Sequence, residues 1–507
     1  MPASRLTIGL VSLAVLASTA GCVVSPQPLA NHELTALASD NLVRVTADQD
    51  PVQGQIDLYE AMARGLKYNL DHRVEAVENA LRVRELDLAH FAGLPNIVAG
   101  SGYAARDNFA ASSSFNVLTN TQNFGASTSQ EKKISTADVA FSWNILDFGL
   151  SYVRAQQAAD KVLIAEELRR KVMHRVIEDV RTAYWRSVSA DRMLVKLRAL
   201  EGRTRTALAN SREISSDRQM SPITAATYER ELVEIKRTIQ ELERELSVAR
   251  TQLAALMNMK PGTKFTLAAS KRTPGSLALK MPVKDMIWTA MNNRAELREV
   301  ALRRRINAQE LDAAFLELLP GIQAFAGTNF DSNDFLYNNN WVSWGAKATW
   351  NLLRLVQYPA KREVIHAQDR LLDERSLALT MAVMTQVHVS RIRFYHYQKE
   401  LATAGEYLAV QRRLVGLMRD EAGANRISEQ TLIREEMNTL VAEVKHDIAY
   451  ASLQNAFANV YASMVLDPLA SEIDPNRQEL GSLARALRAL WFERGDFGPR
   501  ARVAGAF

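Results

Sequence analysis

Few residues in this 507-residue chain have the type and spacing for chemistry. Cys22 is the only cysteine, which excludes a Cys-His catalytic pair and any internal disulfide. The 8 histidines form no metal-ligand spacing; His388 and His396 stand eight apart in one long helical stretch. Carboxylates such as Glu241, Glu243 and Glu245 sit among arginines at helical spacing, the pattern of a solvated helix flank. No glycine-rich loop is present to cradle a phosphate. These absences predict a protein without enzymatic activity, metal or cofactor. The chemistry left is modification of the Cys22 thiol.

Cys22 ends the run Thr19-Ala20-Gly21-Cys22, after Arg5 and an apolar stretch from Ile8 to Ala20. A basic start, a short apolar run and small residues make an export signal. The run is too short to span a bilayer permanently. It resembles a bacterial lipoprotein signal, in which the cysteine is lipidated and becomes the mature N-terminus, although Thr19 stands where leucine is usual. The same residues also fit an ordinary cleaved signal with an incidental cysteine. No other apolar run reaches 18 residues, so any membrane crossing must use strands.

The elements that position the rest come in two copies. Trp143-Asn144-Ile145-Leu146 returns 207 residues later as Trp350-Asn351-Leu352-Leu353. Ser221, Thr224, Met257 and Pro261 return at the same offset as Ser428, Thr431, Met464 and Pro468. Upstream, Glu85-Leu86-Asp87 and Leu94-Pro95 return 225 residues later as Glu310-Leu311-Asp312 and Leu319-Pro320. The difference of 18 falls between Pro95 and Trp143, where Ser112 to Ser114 and Thr119 to Asn123 read as a longer polar loop. A constant offset marks two copies of one structural unit.

Each copy reads helix, strand, loop, strand, long helix, turn, shorter helix. Ala137, Val139, Phe141, Trp143 and Ile145 alternate with Asp138, Ala140, Ser142 and Asn144; Val342, Trp344, Ala346, Ala348 and Trp350 alternate with Ser343, Gly345, Lys347 and Thr349. Period-two alternation with one wet face is a half-buried strand. The opening strands lie around Asn96 to Arg106 and Gly321 to Phe330. Strands of about 10 residues can cross a bilayer when tilted. Of the 7 tryptophans, Trp143, Trp341, Trp344 and Trp350 fall in these segments and, with Phe141, are candidate membrane-strand aromatics. The stretches from Gly149 to Ser216 and from Pro359 to Gly423 read as helices of roughly 100 Å at 1.5 Å per residue. Ser221-Pro222 and Asn425 to Ser428 supply the turns. In the first return helix Ile235, Ile239, Leu242, Leu246, Ala249, Leu253 and Leu256 step alternately by four and three, a left-handed coiled-coil seam.

Four strands cannot close a membrane barrel, for which about eight is the minimum, and open edges cannot sit in lipid. Three copies would supply twelve strands and twelve rods. The expected fold is therefore mainly α with a small β part. It is a two-repeat protomer that trimerises into a 12-stranded β-barrel continuous with a helical barrel. The landmarks divide the chain into a signal at 1–21, a linker at 22–54, repeat one at 55–262, a connecting segment at 263–281, repeat two at 282–468 and a tail at 469–507. Within the tail, Leu480 to Phe492 reads as a short amphipathic helix. The net charge of +5 owes much to tail arginines and the signs are interspersed, which argues against nucleic-acid binding.

Together these features resemble the TolC-like outer-membrane efflux proteins, trimeric exit ducts of Gram-negative bacteria, over Gln55 to Pro468. The residues that carry the resemblance are Leu94-Pro95, Leu319-Pro320 and Trp143-Asn144-Ile145-Leu146-Asp147-Phe148-Gly149. The second copy departs at Arg354 and Val356, where Asp and Gly are common. The resemblance implies strands in the outer membrane and a helical tunnel across the periplasm. It implies a homotrimer that meets a periplasmic adaptor protein and an inner-membrane pump and expels small toxic compounds. Met220, Ser221, Thr224, Arg426, Ser428 and Thr431 would form the periplasmic tip and adaptor contact. Some relatives constrict the tip with aspartates; Arg434 and Glu435 are the candidate constriction here, or else charges on an outer solvated face. Two alternatives stay open: the duct of a type I protein-secretion system, and a periplasmic coiled-coil scaffold that never enters the membrane.

For the anchor, Cys22→Ser is expected to abolish labelling of the protein by radioactive palmitate. Labelling that persists in the variant rules this cysteine out as the acylation site.

Overall fold

The computed structural model describes residues 27–47, 49–216, 221–260, 262–268, 278–279, 281–424, 426–464, 475 and 477–495. The export signal, Cys22, Met220, Pro261 and Pro468 lie outside the described residues. The chain divides into two compact units, Met1–Pro51 and Val52–Phe507. In the first, the segment read as a linker contains a helix, α1 (Asn31–Arg44), exposed along its whole length.

The second unit opens with β1 (Gln55–Ile56), α2 (Leu58–Tyr68) and α3 (Leu70–Phe91). Asp57 and Asn69 start the two helices by accepting from the amides of Glu60 and His72 at 2.7 and 3.2 Å, which satisfies donors with no partner inside the helix. Then come β2 (Asn96–Ala105), a hairpin of β3 (Ser112–Asn116) and β4 (Thr121–Ser127), and β5 (Lys133–Asn144). The long helix α4 (Ile145–Ser216) and its return α5 (Pro222–Leu256) complete the first repeat. The connection carries β6 (Thr266–Leu267), paired parallel to β1. The second repeat is α6 (Val283–Asn293), α7 (Ala295–Leu316), β7 (Gly321–Asp331), β8 (Asn340–Thr349), α8 (Leu353–Gly423) and α9 (Glu429–Met464). A last helix, α10 (Leu480–Gly495), follows. The offsets survive folding: α2 and α6 start 225 residues apart, as do α3 and α7, and α5 and α9 start 207 apart.

Two sequence expectations are corrected. The polar insertion before β5 is a β-hairpin closed by a turn with Asn120 at φ 50°, a left-handed conformation that asparagine tolerates. The long helices also begin before Gly149 and Pro359, which both lie inside them. The cause is the repeated tryptophan-asparagine pair. Asn144 Oδ1 accepts the Leu146 amide at 3.1 Å, and Asn351 Oδ1 accepts the Leu353 amide at 3.2 Å. Each asparagine thus opens its helix a turn or more earlier than the breaker residues suggest.

The helices α4 and α8 hold 72 and 71 residues, or roughly 107 Å at 1.5 Å per residue. Shorter helices cover each in two stages. Toward the strands, α3 and α7 flank α4, and α7 also packs on α8. Beyond them, α5 and α9 flank α4, and α9 also packs on α8. The coiled-coil seam is buried as its spacing implies: Ile239 and Leu246 of α5 meet Met193, Leu197 and Leu200 of α4 and Ile433, Met437 and Val444 of α9. A second core gathers where the stages meet. There Met62 and Leu66 of α2, Val180 and Tyr184 of α4, Leu253 of α5 and Leu483 and Leu487 of α10 are buried together.

Leu197 is fully buried between three rods. Leu197→Ala is expected to cost about 2–5 kcal/mol, the usual range for a buried leucine whose cavity cannot collapse. Denaturant unfolding followed by circular dichroism measures it. Leu163→Ala, at a half-exposed position of the same helix, serves as the near-neutral reference.

Candidate functional site

The four-stranded sheet has the order β2-β5-β7-β8, antiparallel throughout. Residues paired across strands share a face, so the register sorts the side chains. One row runs Ile97, Phe141, Ala326, Trp344; the next runs Ala99, Val139, Thr328, Val342. This apolar face is uncovered, with Trp344 81% exposed. Rows on the other face run Asn96, Ser142, Phe325, Gly345, and Gly100, Asp138, Asn329, Trp341. Gly345 leaves room for the Phe325 ring, which would stand 2.7 Å from an added Cβ. The apolar face of the sheet is thus the more exposed one, while polar side chains such as Asp138, Ser142 and Asn329 are partly covered.

Of the aromatics singled out from sequence, Phe141, Trp143 and Trp344 lie on the apolar face. Trp341 lies on the polar face, one residue out of phase with Trp344, beside Asn329. Trp350 stands just past the end of β8. Trp143 Nε1 donates to the Gly93 carbonyl at 3.3 Å, and Trp350 Nε1 to the Leu318 carbonyl at 2.9 Å. Both acceptors lie two residues before the prolines that open β2 and β7. The repeated tryptophan therefore ties the end of one strand to the entry of another, and the asparagine beside it starts the long helix. Sheet and rods are joined by the same device twice.

At the opposite end, Ser221 precedes Pro222 at the start of α5, and Thr224 is exposed within its first turn. In the second repeat, Arg426 pairs with Glu421 at 3.4 Å. Ser428 Oγ accepts the Thr431 amide at 3.3 Å and shares a hydrogen bond with the Thr431 hydroxyl at 2.8 Å. Arg434 reaches Glu231 of α5 at 3.6 Å and Glu435 at 3.7 Å. Glu435 also accepts from Gln411 of α8 at 2.8 Å. The two constriction candidates therefore tie α9 to α5 and to α8 within one chain.

Two carboxylate clamps on the same helix escaped the sequence reading. Buried Glu436 is held between Arg203 of α4 and Arg419 of α8, and buried Glu443 between Lys196 of α4 and Arg412 of α8. The three pairs 196/203, 412/419 and 436/443 each span one heptad. That shared spacing was the signal available in the sequence. Burial raises the Glu443 pKa, but hydrogen bonds and charge from Lys196 and Arg412 outweigh it and hold the carboxyl below the ordinary glutamate value. Nearer the sheet, burial likewise opposes but does not overcome the pull of Arg154, Gln157 and Lys361, and Glu310 is also held low.

Among the described residues no cluster of three or more His, Cys, Asp or Glu could hold a metal. No described helix is long and apolar enough to cross a membrane. No protein-family model matches the sequence, and no curated protein matches it. Solved structures do. The Campylobacter jejuni CmeC outer membrane channel is 11% identical, with 92% of this chain and 98% of that chain covered and a TM-score of 0.64. CusC, described in connection with transmembrane channel formation, is 14% identical over 83% of this chain and 95% of its own, with a TM-score of 0.62. The open state of the Neisseria gonorrhoeae MtrE outer membrane channel is 13% identical over 80% and 88%, with a TM-score of 0.61.

A carboxyl held below its ordinary value stabilises the fold above that value, and the contribution is lost as pH falls through the folded value. Because Lys196 and Arg412 are about half exposed, screening keeps the effect modest. Glu443→Gln is expected to cost about 1 kcal/mol at neutral pH. The gap from the wild type should close in the acid range below the ordinary glutamate value. Urea melts of both proteins across pH measure it; a gap that stays constant into strong acid contradicts the assignment.

Proposed function

From its fold, that of TolC-like outer-membrane channels, we propose that this chain is the outer-membrane exit duct of a tripartite efflux system. The duct is a passive, lipid-anchored conduit for small toxic compounds expelled by a partner inner-membrane pump through a periplasmic adaptor. The observation that carries this reading is the four-stranded sheet with its apolar face outward, borne on rods of roughly 107 Å. An uncovered apolar face with tryptophans is costly in water and favourable in lipid. The edges of the sheet, β2 and β8, have no strand partner within it, and backbone groups cannot be left unpaired in hydrocarbon. Homotrimerisation supplies the partner: β8 of one copy beside β2 of the next closes twelve strands.

The rods support the same assembly. On α8, Tyr407, Val410, Leu414 and Leu417 form an exposed apolar seam stepping three, four, three. On α3, at the opposite edge but in the stage nearer the sheet, Val74, Val77, Leu81 and Leu88 are exposed as well. Seams of this spacing pack against other helices. The turns at Ser221 to Thr224 and Arg426 to Thr431 form the periplasmic tip that receives the adaptor. Arg434 and Glu435 set the charge at its constriction, where three symmetry-related copies of each act as a filter.

Planar-bilayer recording with a native mass measurement tests this reading. Discrete conductance steps from a particle of three chains are expected, with Arg434→Ala changing conductance or ion selectivity. Release from membranes by high salt without detergent would instead favour a periplasmic scaffold.

A further inference from the structure

Below the sheet, α3, α4, α7 and α8 together line one depression of about 540 Å³. The four helices neighbour one another in that order, with α3 and α8 at the two ends of the row. Side chains from all four rods of such a layer converge only on its concave side, because on the convex side they diverge. The positions on α4 agree. Asp160 and Glu167 pair with Arg305 and Arg298 of α7. Ser151, on another side of the helix, donates to Ala92 beside α3. Lys161 and Leu168, seven residues apart and therefore on one face, line the depression between those two directions. In the trimeric duct this concave side is the lumen.

The floor is apolar and closed: Ile164, Ala165 and Leu372 are buried. Four cations stand around it, Arg82, Lys161, Arg303 and Arg375, against two carboxylates, Glu78 and Glu310. Most of these charges are already engaged. Arg82 pairs with Glu78 and Glu85 at 3.2 and 2.8 Å, and Arg303 with Glu299 at 2.7 Å. Glu310 is taken by Arg154 and Gln157, which keep it ionised but turned to its own partners. Lys161 and Arg375 are exposed, and neither forms an ion pair among the described residues. The depression therefore offers an apolar floor with two uncommitted positive charges on its rim, in the size range of small-molecule sites.

We propose that this depression is a binding station for amphipathic organic anions, one in each protomer. The apolar body lies on Ile164, Leu168 and Leu372, and the carboxylate or sulfonate sits between Lys161 and Arg375. Placing the station in the lumen rests on the duct reading; the binding chemistry does not. Unneutralised cations on the rim of a cleft with apolar walls focus its field and raise the local concentration of anions. A weak station of this kind concentrates one class of cargo without trapping it, since conduction requires binding that is also easily reversed.

The matched probes are 8-anilino-1-naphthalenesulfonate and its uncharged counterpart N-phenyl-1-naphthylamine, titrated by fluorescence into the full-length protein in detergent. The variant is Lys161→Gln with Arg375→Gln, whose circular-dichroism melt checks folding. The sulfonate is expected to bind the variant about tenfold more weakly, the uncharged probe equally well, and Lys161→Arg with Arg375→Lys to restore the sulfonate. Unchanged sulfonate binding overturns the proposal. Equal loss of both probes also overturns it, because then only apolar packing was removed. Bilayer recording of the same preparations separates the two readings. Pores without a charge-selective loss keep the duct and reject the station; a selective loss without pores keeps the site and rejects the duct.

Discussion

The constraint on which the rest depends is the open sheet. Four strands with an outward apolar face cannot hold their own edges in lipid, since every unpaired amide and carbonyl there lacks water to bond. If the sheet enters lipid, as proposed, one chain is an incomplete object and the trimer is what completes it. That requirement passes down the molecule. If the strands of three copies close a ring, the helices attached to them are placed in a ring as well and must be of equal length to form one wall. The repeat meets this demand: α4 and α8 differ by one residue, and the helices that flank them start at matched offsets.

The join between sheet and rod is where strain would gather, and the repeat solves it with two side chains. Each tryptophan indole clips the strand end to the chain entering the neighbouring strand, and each asparagine begins the long helix on the next turn. The joint is therefore specified locally and twice over. The loop on the far side of the sheet has no such duty. The first repeat accordingly tolerates an extra hairpin there, while the distance from joint to tip stays constant.

Along the rods the packing is mixed. Apolar seams supply most of the stabilisation, as in any coiled coil, and buried carboxylates on α9 are each gripped from both sides by cations of α4 and α8. Such pairs add little net energy when their cations are half exposed. What they add is register. A slip of one heptad between rods would leave Glu436 or Glu443 without a partner, and a buried unpaired carboxylate is costly. The positive rim of the upper depression follows a different rule: there the carboxylates are consumed by neighbours and two cations are left over.

Much of this was legible before folding. Duplication, strand alternation, rod lengths and the coiled-coil seam are properties of residues near one another in the chain, where period and spacing alone decide the face that is buried. The same local reading misjudged the starts of α4 and α8, because it weighed Gly149 and Pro359 above the asparagine caps. It took Trp341 and Trp344 together as strand aromatics without sorting them by face; an odd separation of three puts them on opposite faces. What it could not reach were the clamps around Glu436 and Glu443 and the uncommitted pair Lys161 and Arg375. Each depends on how far one rod is shifted along another, which packing sets between segments far apart in sequence. By itself the sequence determined the elements, their lengths and their apolar faces, because those follow from local periodicity. Only the tertiary structure decided which charges are paired and which remain free, because that depends on the register between rods.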